Sequence, residues 1–322
     1  LTRNHTIRRR VLQSAEASVT MLSLGCVTQD WRVLRGGQPV PVVLGFSDPE
    51  AYRGNPHYIG AIAGRVANRI SGSGFDLGGQ RWRLEANEPP NHLHGGPAGL
   101  SHRNWQMEPD GARAVRMRVT SEHGEGGYPG RLDVEVTVTL SGAQLCYEMV
   151  ARSDRPTPVN LAQHSYYSLG APSVRDLRLT VPAAHVTPCG PAMLPIGEIR
   201  PVQGTPLDFR NGRRIDLADP QGQGIDLNYV LSGDEPVTLR GNGMRLELRS
   251  DQPCLQLYTG HKLSPGAAPS GGLVHTPFAG LCLEPQGYPD AVNRPEFPSP
   301  LATPEEPYRQ RLTVTIAPEA VG

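Results

Sequence analysis

Apolar and polar residues alternate along much of this chain, and they do so at the period of a β-strand. Over residues 131–140, Leu132, Val134, Val136, Val138 and Leu140 point one way, while Asp133, Glu135, Thr137 and Thr139 point the other. The next segment sets Leu145, Tyr147 and Met149 against Gln144 and Glu148, and Ser141-Gly142-Ala143 between the two predicts a hairpin turn. Further period-2 stretches run over residues 115–119, 244–249 and 312–316. Phe75-Asp76-Leu77 and Trp82-Arg83-Leu84, joined by Gly78-Gly79-Gln80, predict another hairpin. One apolar and one polar face is the antiparallel signature; a buried parallel sheet gives continuous apolar runs instead. Long helical periodicity is scarce, so the predicted fold class is all-β, a large antiparallel β-sandwich. No linker rich in Pro, Gly or Ser divides the sequence, which predicts a single domain over residues 1–322. The turn-rich segment 264–277 predicts a surface loop near the functional site.

Charge and cysteine content narrow the partners more than the fold. Lys plus Arg and Asp plus Glu are each 31, so nothing favours a nucleic-acid or acidic-lipid partner. The one basic cluster, Arg8-Arg9-Arg10, predicts a solvated, partly disordered terminus. Cys26, Cys146, Cys189, Cys254 and Cys282 are odd in number, widely spaced and free of any C-x-x-C. They predict reduced thiols and a cytoplasmic setting, not a disulfide framework or a thiolate zinc site. No apolar run approaches the ~18 residues of a membrane span, so no membrane partner is expected. No signal-peptide pattern is visible, although the sequence opens on Leu1, which leaves room for a preceding segment. Nucleophile-elbow, phosphate-loop and dinucleotide motifs are missing, so hydrolase, kinase and dehydrogenase readings have no starting point.

Chemistry concentrates in three distant islands: Asn91-His92-Leu93-His94-Gly95-Gly96, a second at residues 160–167 around His164, and a third at residues 282–291 around Glu284. Glu284 follows the apolar stretch 280–283 and precedes Pro285, where a carboxylate costs free energy unless it is ion-paired or used. Asp290 reads as a turn residue. His164 shares a strand face with Tyr166, with Ser165 and Tyr167 on the other; it is either a packed core histidine or an acid–base group. His92 and His94 form an H-x-H pair that could hold a metal. The further ligands of a cupin-type site do not follow at the expected spacing, and Gly95-Gly96 suggests a loop, so no metal is expected. In Gly64-Arg65-Val66-Ala67-Asn68-Arg69-Ile70, the guanidinium and amide groups suit hydroxyl oxygens, or bridge to a nearby acid. Asp226 and Gln256 alternate with apolar neighbours and face polar surroundings. A carboxylate base and an imidazole acid without a nucleophile point to proton transfer on a hydroxyl-rich ligand.

Taken together and in order, the segments at 64–70, 91–96, 159–169, 225–231, 255–260 and 283–293 resemble the motifs of the aldose 1-epimerase (galactose mutarotase) family. The resemblance covers most of the chain. It implies a galactose-mutarotase-type supersandwich, interconversion of the α and β anomers of free aldoses, and no cofactor. It implies Glu284 as general base and His164 as general acid, the ionised carboxylate helping to keep the imidazole protonated. It implies Asn68, Arg69, His94, Tyr166, Asp226 and Gln256 as sugar-binding residues with Arg65 nearby, a monosaccharide partner, and a monomer or homodimer. The sequence departs from the family pattern at Gln163, Tyr167, Ser168, His261 and Pro285, which bears on sugar preference. Rival readings are a phosphosugar epimerase on the same fold, using Arg103 and Lys262 for the phosphate, a non-catalytic sugar-binding protein, and a metal-dependent isomerase.

Overall fold

A computed structural model describes residues 6–319. The alternating segments become the strands of two large antiparallel sheets. The first has nine strands, in the order Gln106–Asp110, Ala114–Ser121, Leu132–Ser141, Gln144–Ser153, Tyr308–Pro318, Met244–Ser250, Val237–Gly241, Arg178–Thr180, Arg213–Arg214. Leu140 pairs with Leu145 and Ser141 with Gln144, so the turn between these strands is Gly142-Ala143. Gly142 has φ +57°, the left-handed conformation that this tight connection needs.

The second sheet has six strands, in the order Tyr166–Tyr167, Leu281–Gln286, Cys254–Tyr258, Asp226–Val230, His185–Thr187, Arg200–Pro201. Its alternation decides where the chemistry sits. Leu281 and Leu283, Leu255 and Leu257, Tyr229 and Tyr167 point into the main apolar core, where they meet Val134, Val136, Leu312 and Val314 of the nine-stranded sheet. The intervening Cys282 and Glu284, Gln256 and Tyr258, Asp226 and Asn228 therefore all lie on the opposite face. The leucines fix the register, and the register aims the polar side chains.

Arg9–Gln13, Ala17–Leu22, Val27–Arg35 and Gln38–Pro41 form a third sheet. This corrects the reading of Arg8-Arg9-Arg10 as a loose terminus: Arg9 pairs with Leu22 and Arg10 with Met21, and the Arg10 side chain donates to the Gly111 carbonyl at 2.7 Å. Leu12, in the same strand, is fully buried and anchors the segment. The one α-helix among the described residues is the single turn Ile215–Ala218. No helix there is long and apolar enough to cross a membrane.

Candidate active site

One cavity, about 200 Å³ in volume, gathers residues from all three islands. His94, His164 and Glu284 line it together with Asn68, Arg69, Tyr166, Asp226 and Gln256. Larger surface depressions lie elsewhere, such as one of about 510 Å³ beside Arg249 and Arg311, but its lining holds no histidine.

Glu284 is centred on the sheet, directly opposite Gln256, which is itself opposite Asn228. Its carboxylate is 3 % exposed, and its Oε2 lies 3.7 Å from His164 Nε2. Burial pushes Glu284 well above the ordinary carboxylate range, with Asp226 adding to the rise, and pulls His164 down to about 4. The expected protonation of His164 by an ionised Glu284 is thus too simple, because desolvation opposes any single charge here. What burial favours is the pair with one proton between its members, which is neutral overall whichever member holds it.

His94 is set by its backbone. It and Asn68 both adopt left-handed φ, 51° and 62°, and they bond reciprocally: His94 N–H donates to the Asn68 carbonyl at 3.0 Å, and Asn68 N–H donates to His94 Nδ1 at 3.2 Å. With Nδ1 an acceptor, the ring proton belongs on Nε2. Burial, then the neighbouring His164 and Arg69, holds the ring neutral, its pKa well below the usual value. Gly95 (φ +87°) follows because a Cβ there would sit 1.8 Å from the Gly64 carbonyl oxygen.

Arg69 grips Glu88 through two parallel hydrogen bonds of 2.5 and 2.7 Å, which fixes the guanidinium at the cavity wall. Gln256 Nε2 donates to Asp226 Oδ1 at 2.6 Å, and Gln256 Oε1 is buried without a partner. The Tyr166 hydroxyl donates to the His57 carbonyl at 3.0 Å, so this residue presents its ring and not its phenol to the cavity.

Arg65 is a correction: it does not line the cavity. Its guanidinium lies over the Tyr128 ring and is consumed by Ser121 Oγ and by the carbonyls of Ser121, Glu122 and Pro129, at 2.8 to 3.0 Å. His92 is also structural. Its Nδ1 bonds to the Glu85 carbonyl at 2.6 Å and its Nε2 to the Tyr128 hydroxyl at 2.8 Å, so the H-x-H pair does not converge on an ion. Asp290 is a tether that accepts from Ser71 and Asn293. His164, Cys282 and Glu284 place ligand atoms within 4.8 Å of one another. However, the thiol faces Nδ1 at 3.4 Å and the carboxylate faces Nε2, so the two donors flank the ring and do not meet at one nitrogen.

Sequence reasoning missed Tyr58, His57, Glu88 and Tyr258, which complete much of the wall. The Tyr58 ring packs at a tilt against His94 and His164, with centroids 4.7 and 5.9 Å away; its only sequence signal is an aromatic residue in the turn between Pro56 and Gly60. Of the two cations considered for a phosphate, Lys262 lines the rim while Arg103 is ion-paired to Glu125 away from the cavity. The segment 264–277 contributes no lining residue; it touches the rim through Ser264 Oγ, 3.3 Å from His57 Nε2. Nor do Gln163, Tyr167, Ser168, His261 and Pro285 line the cavity.

Known proteins carry the same architecture. Residues 9–315 match the family model described as aldose 1-epimerase. The chain is 38% identical over 317 residues to galactose mutarotase of Mus musculus, covering 94% of this chain and 92% of that protein. It is 32% identical over 300 residues to aldose 1-epimerase of Escherichia coli K12, covering 88% and 86%. Among solved structures, an aldose epimerase homologue from C. elegans superposes with a TM-score of 0.93 at 25% identity, covering 98% of this chain and all of that one. With a supersandwich that brings an imidazole and a carboxylate to one cavity, and with these likenesses along nearly its whole length, the chain belongs to the aldose 1-epimerase family.

Proposed function

We propose that this protein interconverts the α and β anomers of free aldoses such as glucose or galactose, with Glu284 as general base and His164 as general acid. The observation that carries the division of roles is the carboxylate–imidazole pair, 3.7 Å apart, in a cavity otherwise lined by hydrogen-bonding side chains and tyrosine rings. Opening the hemiacetal removes the proton from O1, breaks the bond between C1 and the ring oxygen, and protonates that oxygen. Glu284 takes the first proton and His164 supplies the second, so the pair ends with its proton moved and its net charge unchanged. Rotation about C1–C2 turns the other face of the aldehyde to the hydroxyl, and closure runs the transfers backwards. Each positioned acid or base contributes typically ~10²–10⁴ in rate, and no step calls for a nucleophile or an electron carrier.

The remaining lining residues are suited to hold a neutral sugar. His94 offers an Nε2–H, Asp226 and Gln256 Oε1 accept, and Asn68 and Arg69 donate. Tyr58 and Tyr166 present ring faces to the apolar C–H surface of a pyranose. Arg69 is already balanced by Glu88, which leaves Lys262 as the rim cation with no ion-pair partner among the described residues. That is thin provision for a phosphate and favours the unphosphorylated sugar. We read the protein as one domain over residues 1–322, a cytoplasmic monomer or homodimer with a monosaccharide as its partner and no nucleic-acid role. The five free cysteines and the balance of 31 cations and 31 anions support this.

Polarimetry of freshly dissolved α-glucose, α-galactose and glucose 6-phosphate tests the reading. Accelerated decay of rotation on the neutral sugars, resistant to chelators, is expected. Sugar binding without acceleration would make this a binding protein, and faster turnover of glucose 6-phosphate would make it a phosphosugar epimerase.

A further inference from the structure

Cys282 has no part in the proton transfers above, yet it touches the acid directly. It lies two residues before Glu284 on the same face of strand Leu281–Gln286, opposite Tyr166, and it is fully buried. Its Sγ is 3.4 Å from His164 Nδ1, while Glu284 Oε2 is 3.7 Å from Nε2. The imidazole therefore has its two nitrogens flanked by two residues of a single strand, with a hydrogen bond at Nδ1 only. Tyr58, Tyr166 and His94 fill the remaining approaches, with ring centroids 5.9, 5.3 and 5.3 Å away.

A histidine that donates and regains a proton through Nε2 needs a partner at Nδ1 in every form it adopts. When the ring is an imidazolium, or has just given up its Nε2 proton, Nδ1 carries hydrogen and needs an acceptor. When a neutral ring carries its proton on Nε2, Nδ1 is a lone pair and needs a donor. A carboxylate at this position would hold the ring as a cation and make it a poor acid. An apolar side chain would leave a buried nitrogen unsatisfied, which is unfavourable. A thiol is a weak donor and a weak acceptor, so it serves either form and strongly favours neither.

We infer that Cys282 is a positioning residue for the general acid: its thiol seats Nδ1 of His164 and keeps Nε2 turned toward the cavity through both halves of the reaction. The inference rests on the assignment of His164 as the acid. Burial pushes the Cys282 thiol well above its ordinary pKa, so it stays protonated and does not itself compete as a base.

The test compares Cys282→Ala and Cys282→Ser with the parent and with His164→Asn. Polarimetric kinetics should show kcat falling about 10-fold or more in Cys282→Ala with KM within about twofold, and most of that loss recovered in Cys282→Ser, whose hydroxyl also donates and accepts. Nitrogen NMR of labelled histidine should show the His164 tautomer fixed in the parent and the Ser variant but mixed in the Ala variant. In infrared spectra of the parent, the S–H stretch lost on Cys282→Ser should move when His164→Asn is introduced, a readout that requires no Ala variant to fold. Parent-like kcat and tautomer signals in Cys282→Ala, an Ser variant as impaired as Ala, or an S–H band indifferent to His164→Asn would each overturn the inference. If His164→Asn itself turned over normally, the acid assignment would fall instead, so the two failures are distinguishable.

Discussion

Gln256 and Glu284 stand directly opposite each other on neighbouring antiparallel strands, so the base has an amide on one side and an imidazole on the other. The amide is only half used: its Nε2 is committed to Asp226 and its buried Oε1 has no partner. A sugar hydroxyl is the donor it lacks. Gln256→Ala should therefore raise KM about 10-fold, the value of one hydrogen bond released from a buried site, with kcat changed much less. Polarimetric rates over a range of sugar concentrations separate the two.

Glu284→Gln removes the base while keeping its shape. Mutarotation should fall by ~10²–10⁴, and melting temperature should rise, because a buried ionisable carboxylate is replaced by a neutral isostere. A variant that loses activity and stability together would point to misfolding and not to lost proton transfer.

The pH–rate profile should be bell-shaped with a broad plateau through neutrality. Burial opposes the net cation formed when the pair takes a second proton, which pushes the acidic limb down. It equally opposes the net anion formed when the pair loses its one proton, which pushes the basic limb up. Both limbs belong to the pair, and Glu284→Gln should abolish the bell in whatever residual rate survives.

Folding stability should follow the buried histidines. Burial lowers His164 to about 4 against an ordinary 6.5 and His94 well below it, while it raises Glu284, whose contribution to stability runs the other way. In Glu284→Gln, which lacks that carboxylate, the unfolded chain binds more protons between the folded and ordinary values of the histidines, so their stability is fully present above 6.5 and is lost as pH falls through about 4. Melting curves of this variant between pH 7.5 and 4.5 check the sign; a flat or rising melting temperature toward acid would contradict it.

Arg65→Lys should destabilise the protein by about 3 kcal/mol or more, since a lysine cannot reach the four oxygens that the guanidinium holds. KM of the folded enzyme should stay near the parent value. Denaturant titration and polarimetry on the same preparation distinguish this from a sugar-binding role.

The contrast between Arg65 and Arg69 shows what was legible in the sequence. Strand alternation located the sheets because burying one face leaves a period-2 trace, and Leu132, Val134, Val136, Val138 and Leu140 are all buried as their spacing predicts. The motif from Gly64 to Ile70 marked both arginines as important, but nothing local distinguishes a guanidinium facing a cavity from one capping carbonyls of a distant loop. That depends on Ser121 and Pro129, more than 50 residues away. His57 and Tyr58 escaped for a related reason: they reach the cavity from a turn region, where no periodicity aims a side chain. Arg8-Arg9-Arg10 misled because charge suggested a solvated end, whereas its strand pairs through backbone groups that carry no compositional signal.

The alternating faces of strand Leu281–Gln286 also limit how this enzyme can be altered. Leu281 and Leu283 cannot leave the core without turning Glu284 into it and Cys282 away from His164, so a one-residue insertion or deletion there would abolish folding and chemistry in a single step. The rim at His57 and Lys262 has no such coupling, since these residues stand on turns, whereas Glu88 holds Arg69 and Tyr58 packs on His94 and His164. New sugar preferences should therefore be sought by varying the rim, with the sheet that aims the acid and base left as it is.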